Sequence, residues 1–133
     1  MAGRTSLRWL AFWRTLGWFL VLAAVAASLS PASALPDVGV SDKLGHAATY
    51  AFLALWFCGV YPRRAAPVIA LALLALGGGM EALQALTETR RPEGADLVAN
   101  AAGIFVGVLA ARAGLDNWCA MVEKFFGANH QRD

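Results

Sequence analysis

Asp42, His46 and Tyr50 stand at i, i+4 and i+8, so a helix through them carries a carboxylate, an imidazole and a phenol in one stripe. A carboxylate beside an imidazole can move a proton or hold a divalent cation, and a phenol adds a directional hydrogen bond. The stripe runs directly into an apolar segment, where each ionised group would cost about 2.5 to 3.5 kcal/mol if it faced hydrocarbon. Two other stretches offer partners. Glu81 and Gln84 are i, i+3 and share a helix face that also carries Gly77 and Gly78, while Asp96, Asn100, Gly103 and Gly107 step by four, three and four along another. Lys43 and Arg90 or Arg91 supply positive charge to balance Asp42, Glu81, Glu93 and Asp96.

The elements that must position these residues are membrane spans. Apolar residues make up 59% of the 133-residue chain and charged ones 15%, against about half and about a quarter in a soluble domain. One all-α membrane domain follows: a bundle of four transmembrane helices and a short C-terminal amphipathic helix. The first span covers about 9–30, and Ala32-Ser33-Ala34 after Pro31 leaves open its reading as a signal peptide, although its length favours an uncleaved helix. Leu44 to Val60 is the second span, stopped by Tyr61-Pro62-Arg63-Arg64; Ala65 to about Leu86 is the third and Leu97 to Ala113 the fourth. Over about 115–126, Leu115, Trp118, Met121, Val122, Phe125 and Phe126 follow helical spacing, with Asp116, Asn117, Glu123 and Lys124 opposite, as in a helix lying on a membrane surface.

With a cytoplasmic N-terminus, Arg4, Arg8, Arg14, Arg63, Arg64, Arg112, Lys124 and Arg132 lie inside and only Lys43, Arg90 and Arg91 outside. That bias places both termini in the cytoplasm. The polar ends of spans two, three and four then meet at the outer face and line one cleft, with Gly103 and Gly107 as packing residues beneath it. Taken singly, His46, Tyr50 and Asp96 are ordinary helix-end contacts, packing rings and caps. Glu81 is harder to read that way, because an acid more than a turn inside a spanning helix marks a functional site by default. Cys58 and Cys119 read as unpaired packing thiols.

Asp42-Lys43-x-x-His46-x-x-x-Tyr50, then Glu81-x-x-Gln84, then Arg90-x-x-Glu93-x-x-Asp96-x-x-x-Asn100-x-x-Gly103-x-x-x-Gly107 together resemble the VanZ-like family, over about 42–111. The resemblance implies a bacterial inner-membrane protein, with a link in one group of members to glycopeptide and lipoglycopeptide resistance. It supplies no agreed chemistry.

Three functions fit. The first is a non-catalytic protein whose cleft binds or shields a lipid-linked or anionic envelope component, through Lys43 and Arg90 with His46, Gln84 and Asn100. The second is a membrane-embedded hydrolase or transferase using Asp42, His46, Glu81 and Asp96 as acid and base or as metal ligands, although neither a His-Glu-x-x-His motif nor a nucleophile elbow is present. The third is a structural envelope-assembly protein. The non-enzymatic reading is preferred, with no cofactor, no metal and no nucleic acid; the partner is the bilayer.

Overall fold

The computed structural model describes residues 7–30, 41–86 and 93–129, all helix and connecting turns with no strand among them. Five α-helices follow in order: α1 Leu10–Leu29, α2 Asp42–Val60, α3 Ala66–Gln84, α4 Gly94–Arg112 and α5 Trp118–Asn129. Short 3-10 turns, Arg63–Ala65 and Leu115–Asn117, lead into α3 and α5. The possible cleavage motif at Ala32 to Ala34 and both Arg90 and Arg91 lie outside the described residues.

Local chemistry sets the ends. α2 begins two residues earlier than the hydrophobic pattern suggests because Ser41 caps it, its Oγ accepting the Leu44 N–H at 3.3 Å. Tyr61-Pro62 ends it, since proline cannot donate the next helical hydrogen bond. At the end of α4, Gly114 takes φ 114°, a left-handed conformation that suits glycine, and turns the chain toward α5.

α2 is the hub. From Leu53 onward nearly every residue is buried, including Ala54, Trp56, Phe57, Cys58, Gly59 and Val60. α1 reaches this hub through Trp13, Gly17 and Val21, a single i, i+4 stripe. α4 reaches it through Asp96, Asn100, Gly103, Ile104, Gly107 and Ala111, the face expected from sequence. A Cβ on Gly103 would collide with the Ala47 carbonyl, and one on Gly107 with the Ala51 carbonyl, so glycine is what allows α2 and α4 to touch backbone to backbone.

At one end Trp13, Trp56 and Trp118 form a ring cluster with centroids 4.5 to 5.9 Å apart. Each indole N–H is used: Trp56 donates to the Trp13 carbonyl, Trp118 to the Leu55 carbonyl and Trp13 to Glu123.

The outer surface is apolar. Phe12, Trp18, Phe19, Leu22, Val68, Leu71, Val98 and Phe105 are all more than half exposed, a degree of apolar exposure that water-soluble monomers rarely show. Among the described residues, three helical segments, Leu10–Leu29, Arg63–Gln84 and Gly94–Arg112, are long and apolar enough to cross a membrane. α2 is not among them, because Asp42, Lys43 and His46 occupy its first turns.

Candidate functional site

The end of α1, the start of α2, the end of α3 and the start of α4 meet at the end of the bundle opposite the tryptophans. Here the structure gathers most of the residues singled out from sequence. His46 Nδ1 lies 3.1 Å from Asn100 Oδ1. An amide oxygen only accepts, so the Nδ1 proton is donated to Asn100 and Nε2 faces the other way. There it meets two carboxylates, Asp42 Oδ2 and Asp96 Oδ2, each at 3.9 Å.

Asp96 is buried, its side chain only 7% exposed. Its Oδ1 has no hydrogen-bond partner; the Lys43 ammonium stands 3.6 Å away, within ion-pair range but too far for a hydrogen bond. Lys43 is held instead by Glu93 Oε2 at 2.6 Å. That hydrogen bond and the lysine charge keep the Glu93 carboxyl below the usual glutamate range. Half-exposed in water, the pair is screened and fixes geometry more than it stabilises the fold.

Below this layer Tyr50 and Asn100 pack over Gly77, where a Cβ would lie 2.9 Å from Asn100 Nδ2 and 3.3 Å from the Tyr50 hydroxyl. A side chain at Gly77 would therefore displace the Asn100 amide from its present position. Gly78 has open space beside it, contrary to its expected place on the same packing face.

Glu81 and Gln84 do not act as one pair. Three residues apart on a helix, they point to different neighbours: Glu81 Oε2 accepts the Glu93 backbone N–H at 3.2 Å, tying α3 to the start of α4. Gln84, 2% exposed, donates to the Ser28 carbonyl at 2.9 Å and lies 3.1 Å from the Ser28 hydroxyl on α1. Glu81 thus stands outside the Asp42, His46 and Asp96 group, whose ligand-type atoms lie within 4.8 Å of one another. Arg90, expected to contribute charge here, lies outside the described residues.

A recess of about 180 Å³ opens between α1, α2 and α3. Of the expected residues it is lined by Asp42, His46 and Tyr50, joined by Ser28 and Thr49. Those two hydroxyls escaped the motif; the available signal was a serine near the end of an otherwise apolar helix and a threonine between His46 and Tyr50. Lys43, Glu93, Asp96 and Asn100 form the wall behind His46 rather than the lining. Leu76 closes the recess and also belongs to a second, apolar groove of about 510 Å³ lined by Trp18, Val21, Phe57, Ile69 and Leu73.

At the opposite end Arg63 grips Asp116 through two hydrogen bonds, Nε to Oδ2 at 2.6 Å and Nη2 to Oδ1 at 3.0 Å. Asp116 is 3% exposed, not on the polar outer face expected of it. Arg14 stacks over Tyr61 at 5.0 Å. Arg64 and Arg112 line a cavity with Arg63, so the basic residues collect at this end. Comparison with family models, curated proteins and solved structures finds no match to this chain.

Proposed function

We propose that this is a VanZ-like, four-span bacterial inner-membrane protein that holds an amphiphilic component of the cell envelope, its polar head in the His46 recess and its chain in the apolar groove. The reading is carried by one observation: the His46 recess, whose wall carries a few polar groups, and the apolar groove share Leu76 and run along the same α1 and α3 surfaces. A water-soluble ligand needs no such track, whereas a lipid headgroup with an attached chain uses both halves. Ser28, Thr49, Tyr50 and His46 offer hydrogen bonds to hydroxyl or phosphate groups of the head.

Several features support the membrane arrangement. α2 has 19 residues, the same as α3 and α4, so at about 1.5 Å per residue it is as long as its neighbours in the bundle. Its polar first turns then sit at the interface. Arg8, Arg14, Arg63, Arg64, Arg112 and Lys124 belong to the tryptophan end, which supports an orientation with that end and both termini in the cytoplasm and the recess outside. α1 supplies Trp13, Gly17 and Val21 to the core, which favours its retention as a helix over its removal. α5 docks through Trp118, Cys119 and Val122 while Met121, Phe125 and Phe126 stay exposed, with Leu115 of the preceding turn, a surface suited to the membrane interface. Shielding of an envelope lipid is also how such a protein would alter susceptibility to lipoglycopeptides.

Native mass spectrometry of protein released from membranes tests this. The wild type should keep one envelope-lipid adduct, and Leu76→Trp, which fills the junction, should lose it. Adducts that merely mirror bulk lipid in both proteins would refute the reading.

A further inference from the structure

We infer that Asp42, His46 and Asp96 form a binding site for a divalent transition cation, with Zn²⁺ preferred. The imidazole is already set for it. Because Nδ1 donates to Asn100, the neutral ring presents the Nε2 lone pair to the two carboxylates, the outer-partner arrangement that orients histidine ligands in metal sites. The 3.9 Å separations from Nε2 are too long for hydrogen bonds. They are close to the spacing of ligand atoms around one ion, about 3.4 Å on a tetrahedral centre with bonds near 2.0 to 2.1 Å. All three ligand atoms lie within 4.8 Å of one another, so on binding both carboxylates close on the imidazole by about half an ångström or more, the exposed Asp42 moving most.

Two further observations point the same way. Asp96 is buried, its Oδ1 lacks a hydrogen bond and faces only the Lys43 ammonium at 3.6 Å, and its Oδ2 faces His46, so a cation at Oδ2 would complete the pairing of a carboxylate that is otherwise costly to bury. The described residues at this end also carry four carboxylates, Asp42, Glu81, Glu93 and Asp96, against the single ammonium of Lys43, which Glu93 already engages. One imidazole and two carboxylates suit Zn²⁺ better than Mg²⁺ or Ca²⁺, which favour all-oxygen shells.

The site does not depend on the lipid reading, and its test needs no lipid ligand. Purified protein in detergent, stripped with EDTA, is titrated with Zn²⁺ by calorimetry and with Co²⁺ by visible absorption. One cation per chain is expected, with Mg²⁺ and Ca²⁺ unable to compete. Loss of an outer partner alone costs metal sites about 10- to 100-fold in affinity, so Asp42→Asn and His46→Gln should each weaken Zn²⁺ binding at least about tenfold. Asp42 is exposed, so its amide variant should fold. Leu76→Trp should bind Zn²⁺ as the wild type does, which separates this site from the lipid groove. Absence of stoichiometric Zn²⁺ binding, or unchanged affinity in Asp42→Asn and His46→Gln, would overturn the assignment.

Discussion

At the scale of single residues, Glu123 shows how one carboxylate can join two ends of the chain. Its oxygens accept the backbone N–H groups of Arg8 and Trp9, at 2.7 and 2.9 Å, and the Trp13 indole N–H at 2.8 Å. Those amides precede the first intrahelical bonds of α1, and no side chain from α1 itself caps them, so a residue of α5 serves as the cap. Burial pushes the Glu123 carboxyl up, but the Trp9 and Arg8 amides and the Trp13 indole outweigh it and hold the carboxyl below the ordinary 4.5. A carboxyl lowered in the folded state stabilises fully above its unfolded value, and that stabilisation fades as pH falls through the folded value. Acidification through and below the ordinary glutamate range should therefore loosen α5 from α1, read as a change in fluorescence of the tryptophan cluster. Glu123→Gln should remove this acid response, and Glu123→Ala should also lower stability by about 1 kcal/mol, the scale of a lost helix cap. An identical pH profile in wild type and Glu123→Gln would show that the cap does not carry the effect.

At the scale of elements, the α2–α4 contact governs the site, because it sets how near His46 comes to Asp96 and Asn100. Gly103→Ala forces a methyl against the Ala47 carbonyl and should cost about 1 to 3 kcal/mol in thermal unfolding, whereas Gly78→Ala, with open space beside it, should be neutral or slightly stabilising. Equal effects at the two positions would deny the close approach its role. This contact was readable in advance: Asp96, Asn100, Gly103 and Gly107 recur at helical spacing, and period alone puts them on one face. The Glu81 and Gln84 pair was only half readable, since their spacing allows a shared face but cannot say which neighbour each one reaches. The α5 face misled for a different reason. Helical spacing separates apolar from polar residues, yet Asp116, buried in the turn before α5, is matched by Arg63, and Glu123 by the amides just ahead of α1, partners far away in sequence. The recess was incomplete for the same cause, because Ser28 comes from α1, where no motif pointed to it.

At the scale of the whole molecule, polarity is distributed inside out. Large apolar side chains face outward along α1, α3 and α4, while Gln84, Asp96, Asn100 and Asp116 are the polar and charged residues buried within. In water that pattern would be unstable, but in a bilayer it lets the outer surface meet acyl chains while each buried polar group is confined to one of two ends. The two ends differ in charge: carboxylates gather around His46, arginines around the tryptophans. If the basic end faces the cytoplasm, Gly94 and Arg64 lie on opposite sides of the membrane. Gly94 has open space for a side chain, and Arg64 is exposed. In a background with Cys58 and Cys119, both buried, replaced by alanine, Gly94→Cys in intact cells should react with a membrane-impermeant maleimide. Arg64→Cys should react only after the membrane is opened. The reverse pattern would invert the orientation and turn the His46 recess toward the cytoplasm, away from envelope material; labelling of both from outside would mean that the four long helices do not cross as an antiparallel set.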